Sequence, residues 1–348
     1  PLIDEPTNHL DTHGRELAAR YLRRQTGFIL VSHDRRFLDG CVDHILSLNR
    51  ADIQVQSGNY STWRENFDRR QQFEEARNER LQKDVKRLRQ AARRTGAWSD
   101  KVEASKVGAY DKGFVGHKSA KMMKRAKALE ARQEKALEEK AELLKNRETA
   151  EALKLSPLAH HAKRLLSCKG LELWYGDRRV CGPLDFTLEP GDRAALEGKN
   201  GSGKSSVLKL LLGQEIRYRG TLEPASGLRV SYVPQDTAFL RGNLRDFIAE
   251  RSIDESLFKA ILRKLGFSRE QFEKDLSDYS GGQKKKALIA ASLCQPAHLY
   301  VWDEPLNFID LDSRLQIEEL LLTFAPTMLF VEHDGAFREA VATKVISL

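Results

Sequence analysis

The run Gly198-Lys199-Asn200-Gly201-Ser202-Gly203-Lys204-Ser205 constrains this chain more than any other stretch. It fits the pattern Gly-x-x-x-x-Gly-Lys-Ser and stands between an apolar segment ending Ala194-Ala195-Leu196 and a helical pattern opened by Val207, Leu208 and Leu210. A strand that runs through a glycine-rich turn into a helix aims backbone N–H groups, and the positive end of the helix dipole, at whatever fills the turn. Gly198, Gly201 and Gly203 let the backbone curl around phosphate oxygens, and Asn200, Ser202 and Ser206 are counted with the loop. Lys204 is placed to neutralise the β and γ phosphates of a nucleotide, and the Ser205 hydroxyl to ligate Mg²⁺. A glycine-rich turn without a ligand is the competing reading. The correctly ordered strand and helix on either side speak against it.

Further polar groups follow at strand ends. Gln235 closes the strand-like segment 230–233 and is in place to reach Mg²⁺ or an attacking water. Ser280-Gly281-Gly282-Gln283 precedes a basic, then apolar helix predicted to begin at Lys284, which makes a second anion-binding helix start. The apolar strand at 299–302 ends in Asp303-Glu304, where Asp303 would hold Mg²⁺ through water and Glu304 would act as general base on the attacking water. His333, at another strand end, is positioned for the γ-phosphate. Upstream of the loop, Tyr175 is favoured to stack on a base, with Trp174 the competing candidate and a plain core role open to both.

The chain repeats itself. Pro1-Leu2-Ile3-Asp4-Glu5-Pro6-Thr7-Asn8-His9-Leu10-Asp11 matches the stretch ending Asp303-Glu304-Pro305-Leu306-Asn307-Phe308-Ile309-Asp310, and Ser32-His33-Asp34 is echoed by Glu332-His333-Asp334. Two homologous nucleotide-binding domains are implied, with Asp4, Glu5 and His33 as the first-copy counterparts of Asp303, Glu304 and His333. No phosphate loop precedes Pro1 and no initiating Met is present, so the chain reads as a fragment that starts inside its first domain. That remnant is expected to contain a helix near residues 15–24, a strand at 28–31, a helix near 35–39 and strands near 45–48 and 53–56. Stripped of most of its core, it should expose apolar faces and be marginal by itself.

Charge separates the two copies. The net charge is +8, and between Arg80 and Lys127 there are 15 Lys and Arg against 4 Asp and Glu, an excess that suits a polyanionic partner. Leu81, Val85, Leu88 and Ala92, then Met122, Leu129, Ala136 and Leu143, hold coiled-coil spacings on either side of a glycine-containing turn, which predicts an antiparallel helical hairpin. The expected division is residues 1–58 for the first-domain remnant, 59–155 for the hairpin arm and 156–348 for a complete second domain. No apolar run approaches the roughly 18 residues of a membrane span, no signal peptide is visible, and Cys41, Cys168, Cys181 and Cys294 form no metal or disulfide pattern, so a cytoplasmic protein with no membrane contact is expected.

Taken together, the loop at 198–205, Gln235, Ser280 to Gln283, Asp303-Glu304, Asp310 and His333 resemble an ATP-binding cassette domain over residues 164–348. The resemblance implies an α/β fold of the P-loop nucleotidase type, with ATP and Mg²⁺ as cofactors. Two cassettes with a charged helical hairpin between them and no membrane segment resemble the ABC-F proteins, which act on ribosomes, and the motif wording is similar to the branch that protects ribosomes from lincosamide, pleuromutilin and streptogramin A antibiotics. The resemblance further implies paired cassettes sandwiching two ATP molecules, each held by the phosphate loop of one and the Ser-Gly-Gly helix start of the other. It implies an arm reaching ribosomal RNA near the tRNA and peptidyl-transferase region. The second cassette departs from the usual wording, with Leu306 for Thr, Phe308 for His, and Glu332 where Ser32 precedes His in the first copy. A housekeeping translation factor of the same subfamily, an ABC transporter ATPase subunit and a purely structural ribosome-binding protein are the alternatives. Intact Lys204, Ser205 and Glu304 disfavour the last.

Overall fold

The computed structural model describes residues 1–7, 10–48, 53–70 and 157–348, together with scattered helical positions between 72 and 128. Two compact units result, one of Pro1–Ser61 with Ala150–Leu348 and one of Thr62–Thr149. Within the second, residues 62–70 are helical. The predicted hairpin turn and most of the basic block lie outside the described residues.

The first half folds as β1 (Leu2–Asp4), α1 (Thr12–Leu22), β2 (Ile29–Val31), α2 (Arg35–Cys41), β3 (His44–Leu48) and β4 (Ile53–Ser57). Helix α1 starts earlier than its apolar pattern suggests, because the Asp11 carboxylate accepts from the Gly14 N–H at 2.8 Å and caps it. Asp34 caps α2 in the same way, accepting from Phe37 N–H at 3.0 Å. Strands β1 and β2 pair in parallel, and β3 and β4 form an antiparallel hairpin. The expected apolar exposure is present: Leu46 faces Val55 and Leu48 faces Ile53 across the hairpin, all four exposed, and Leu2 is 82% exposed.

The second half opens with β5 (Leu166–Tyr175), β6 (Arg178–Leu188) and later β8 (Arg217–Pro224), an antiparallel sheet in the order β6-β5-β8. Strand β5 begins at Leu166, which pairs with Leu188 on one side and Pro224 on the other. The central sheet is parallel, in the order β12 (Lys344–Ser347), β7 (Arg193–Glu197), β11 (Met328–Val331), β10 (Leu299–Asp303), β9 (Val230–Val233). Both its faces are covered, and the sequence shows why. Leu299 and Val301 of β10 and Leu329 and Val331 of β11 point into the core shared with the antiparallel sheet, while Tyr300, Trp302, Met328 and Phe330 point into the helical core. Such strands read as unbroken apolar runs rather than as alternation.

Helices α3 (Lys204–Leu211), α4 (Leu244–Glu250), α5 (Glu255–Lys264), α6 (Gly281–Cys294), α7 (Leu311–Phe324) and α8 (Gly335–Val341) complete the half. Helix α6 begins at Gly281, not at Lys284 as the charge pattern suggested. Ser280 and Gln283 form a reciprocal capping box, so both glycines fall inside the first turn. No described helix is long and apolar enough to cross a membrane.

The two halves meet inside one unit. Arg35 of α2 makes a forked contact with Glu318 of α7, and Arg36 pairs with Glu339 of α8. A Cβ on Gly335 would come within 2.8 Å of the Arg36 guanidinium, so α2 lies directly against the start of α8.

Candidate nucleotide and hydrolysis site

The phosphate loop sits between β7 and α3. Gly203, at φ 93, is the helix N-cap, and a Cβ there would press to 2.8 Å from Cys181 Cβ; Gly201 is also left-handed at φ 80. Lys204 is buried and folds back on its own loop, donating from Nζ to the carbonyls of Gly198 at 2.8 Å and Lys199 at 3.0 Å. Burial pushes the ammonium below its ordinary pKa, against the pull of Glu304, Asp11 and Asp303. The loop thus holds a cation ready to exchange two backbone acceptors for phosphate oxygens.

A cleft of about 420 Å³ runs from Tyr175 past Asn200, Gly201, Gly203, Lys204, Ser205 and Ser206 to Gln235 and Glu304. Tyr175 is half exposed, and its hydroxyl lies 3.1 Å from Ser206 Oγ. Trp174, its rival, is packed instead under the Arg219 guanidinium at 5.5 Å and does not line the cleft. A larger hollow of about 640 Å³ beside β8 brings together none of the predicted site residues.

At the opposite end stand the carboxylates. Asp303 is 1% exposed; its Oδ1 accepts from the Ser205 hydroxyl at 3.0 Å, while Oδ2 is buried with no protein partner. An orphaned carboxylate oxygen beside a hydroxyl at a phosphate loop fits Mg²⁺, a hard cation that takes one or two carboxylates and completes its shell with phosphate and water. Desolvation raises the Asp303 pKa, as expected of a carboxylate buried without its counter-charge. Among the described residues no cluster of three or more His, Cys, Asp or Glu forms a self-contained metal cage.

Glu304 is held from three sides: Gln235 Nε2 donates to Oε2 at 2.8 Å, Asn307 Nδ2 donates to the same oxygen at 2.7 Å, and His333 Nε2 lies 3.5 Å from Oε1. Desolvation acts to raise its pKa, but His333, Asn307 and Gln235 together override it and bring the value down to about 2. Glu304 therefore stays ionised and oriented. Asn307 was not singled out from the sequence; its recurrence at Asn8 in the first copy was the available signal.

In the first copy Glu5 repeats the left-handed backbone, φ 42 against 46 for Glu304, and His33 Nε2 lies 3.4 Å from its Oε1. Its electrostatics are opposite. Burial raises the Glu5 pKa, against the pull of Arg314 and with Asp4 and Asp34 adding to it. Asp4, placed by analogy at a metal, is exposed at the end of β1. Ser280, Gly281, Gly282 and Gln283 do not line the cleft. The Ser280 hydroxyl accepts from Gln283 N–H at 3.3 Å, and Gly282 is kept bare by the Phe308 carbonyl, which a Cβ would meet at 2.3 Å. One contact crosses between copies at the loop: Asn200 N–H donates to Asp11 Oδ2 at 3.2 Å.

A second repeat became visible only in three dimensions. Arg15 donates to Leu10 O and to Asp34 Oδ2 at 3.0 and 2.6 Å, and Arg314 donates to Ile309 O and Asp334 Oδ2, both at 2.9 Å. The paired strands share the register Asp4 with Val31 and Asp303 with Val331.

Phosphate loop, carboxylate pair at the end of a buried parallel strand, and polar residues converging from the neighbouring strand ends define an ATP-binding cassette of the P-loop nucleotidase class. Residues 181–307 match the family described as ABC transporter. The chain is 30% identical over 97% of its length to the ribosome protection protein VmlR of Bacillus subtilis, covering 62% of that protein. It is 30% identical to the ATP-binding protein Uup of Caulobacter vibrioides, covering 55% of it, and 29% identical to the probable ATP-binding protein YheS of Escherichia coli, covering 50%. These relatives are ABC-F proteins, and the chain agrees with that subfamily; it spans about half to three fifths of their length. Among solved structures, an archaeal ribosome recycling factor in complex with a ribosomal stalk protein matches 99% of the chain and 57% of its own at a TM-score of 0.59 and 20% identity, a likeness of fold.

Proposed function

We propose that this chain is part of an ABC-F ATPase that couples ATP binding and hydrolysis to binding and release of the ribosome. The observation that carries the ATPase reading is Glu304, ionised and fixed by Gln235, Asn307 and His333 beside the orphaned Asp303 oxygen at the mouth of the phosphate loop.

In this reading Lys204 leaves the Gly198 and Lys199 carbonyls for the β and γ phosphates, the loop amides bind the remaining oxygens, and Tyr175 stacks on the base. Ser205 and Asp303 would hold Mg²⁺, which would supply neutralisation of phosphate charge. Gln235 orients a water toward the γ-phosphorus, and Glu304 takes its proton as the new P–O bond forms and the bond to the ADP oxygen breaks. His333 steadies Glu304 from the far side and reaches for the γ-phosphate. Ser280 to Gln283, Glu5 and His33 then serve composite sites formed with a partner cassette.

Support for a ribosomal partner comes from the name of the Bacillus subtilis relative and from the basic block between Arg80 and Lys127. Residues 59–155 are assigned to the arm that carries it, between a first-cassette portion at 1–58 and the second cassette at 156–348. Antibiotic protection in the cytoplasm is the specific role we favour over a housekeeping one. Mg-ATP binding by the purified chain, weakened about 10- to 150-fold in Lys204→Ala, tests the site. Co-sedimentation with ribosomes, weakened and made less salt-dependent when Arg93, Arg94, Lys121, Lys124 and Arg125 become Gln, tests the partner. Unchanged binding and salt slope in that variant would remove the arm from the proposal. Resistance phenotyping of a gene encoding all the cassette elements separates protection from housekeeping.

A further inference from the structure

Two charged side chains lie buried beneath the turn that carries Glu304, and neither takes part in the chemistry above. Lys285, on the second turn of α6, is 2% exposed, and its Nζ donates to the carbonyls of Pro234 at 2.8 Å, Glu304 at 3.0 Å and Asp303 at 3.4 Å. Glu332, at the end of β11, is 3% exposed; its Oε2 accepts from Leu306 N–H at 3.1 Å and its Oε1 from His333 N–H at 2.7 Å and Asp334 N–H at 3.1 Å. The cation gathers the carbonyls of the segments bearing Gln235 and Glu304. The anion gathers the amides of the segments bearing Glu304 and His333. Of the carboxylates acting on Lys285, which also include Asp303, Glu304 and Asp236, Glu332 acts most strongly.

Between them is a residue that needs holding. Glu304 has φ 46, a left-handed conformation that a non-glycine side chain keeps only where its surroundings impose it. The first copy achieves the same backbone with neutral groups: Thr7 Oγ1 lies 3.4 Å from Ser32 Oγ, which also accepts from Asp34 N–H at 3.2 Å. In the second copy Leu306 replaces the threonine and Glu332 the serine, and the one carboxylate accepts from the Asp334 amide, the counterpart of the one that Ser32 holds, and from the amides of Leu306 and His333 as well. A buried carboxylate needs a compensating cation, and Lys285 supplies it through the shared turn.

We propose that Lys285 and Glu332 form a buried charge couple that fixes the 303–306 turn, making both positioning residues for Glu304, Gln235 and His333. The proposal rests on the reading of Glu304 as the hydrolytic base.

The test uses the 348-residue chain carrying Lys285→Met, Glu332→Gln or both, with Lys285→Gln, which keeps one donor, in place of Lys285→Met should that variant not fold. Three quantities are read: Mg-ATP affinity by titration of a fluorescent ATP analogue, single-turnover hydrolysis with protein in excess, and amide exchange at Leu306, His333 and Asp334. Each single change should slow single-turnover hydrolysis by about tenfold or more while affinity stays within about threefold, since the phosphate loop is untouched. The double variant should fall within about threefold of the worse single one rather than at the product of the two losses. Exchange at the three amides should quicken by about tenfold in Glu332→Gln. Parent-like hydrolysis in both singles, or a double variant at the product, overturns the couple. Parent-like hydrolysis in Glu304→Gln overturns the reading of Glu304 instead, whereas a parent chain that binds Mg-ATP and hydrolyses none needs the partner cassette for turnover. The couple is then decided by exchange alone, where unchanged protection in Glu332→Gln and in the Lys285 variant overturns it.

Discussion

Replacing Arg314 by Met tests how the second cassette ties its strand ends together. The guanidinium donates from Nε to Ile309 O at 2.9 Å, from one terminal nitrogen to Asp334 Oδ2 at 2.9 Å and from the other to Leu306 O at 3.1 Å. Its side chain is 7% exposed and that of Asp334 is 0% exposed. Removing the cation leaves the Asp334 carboxylate in the core with only the Arg35 guanidinium, 4.0 Å from Oδ1, as counter-charge, a change that costs up to about 3–5 kcal/mol, whereas an exposed pair is worth about 0–1 kcal/mol. For a folded unit of some 200 residues, about 1 kcal/mol moves the midpoint by roughly 2–4 °C, so thermal unfolding should shift down by about 6–20 °C. Differential scanning calorimetry of the chain reads this directly. Adding Asp334→Asn should restore part of the loss, because the stranded charge is gone while Asn still caps α8 in place of the bond to Phe337 N–H at 3.0 Å. Arg15→Met, the first-copy equivalent, should leave the main transition nearly in place, since that strand pair lacks most of a core. A shift below about 2 °C for Arg314→Met, or a double variant less stable than the single one, would refute the reasoning.

Glu304→Gln should retain Mg-ATP binding and lose hydrolysis in a single-turnover assay, because it removes the proton acceptor while Lys204 and the loop amides remain. The same residue sets a pH dependence: its folded pKa is depressed from 4.5 to about 2, so its contribution to stability is fully present above about 4.5 and disappears as pH falls through the folded value, a slope that Glu304→Gln should remove from acid unfolding curves. Lys204→Ala should weaken Mg-ATP by about 10- to 150-fold in equilibrium titration, the value of one charge-assisted hydrogen bond at about 1.5–3 kcal/mol. Arg35→Ala, which removes the fork to Glu318, should leave the cassette folded but speed proteolytic cleavage within residues 1–61; an unchanged cleavage rate would mean that the pair does not hold the halves together.

Much of this was legible in the chain because it is local. The phosphate loop, the two acid-ended strands and the repeated His-Asp are fixed spacings within short segments, and apolar runs at 299–302 and 328–331 announce strands buried on both faces. Helix starts were less legible. The Ser280 cap shifts α6 forward by one turn, and it depends on a hydrogen bond between Ser280 and Gln283 that competes with charge pattern as a signal. Arg314 and Arg15 passed unnoticed, since an arginine on an amphipathic helix looks like a solvated charge until its fold delivers it to a buried aspartate.

By itself the sequence determined the class of fold, the nucleotide loop, the carboxylate pair and the existence of two related halves, all consequences of spacing along one strand–turn–helix at a time. Tertiary structure decided which groups converge. Only the sheet order brings Gln235 of one strand end and His333 of another to Glu304, where with Asn307 they turn its pKa down. Only packing sends Tyr175 into the cleft and Trp174 under Arg219. Only packing, too, brings Lys285 and Glu332 to opposite sides of one turn although 46 residues separate them in the chain. The physical reason is that charge and hydrogen bonding act over a few ångströms of space, so their partners are chosen by the fold and not by the order of residues.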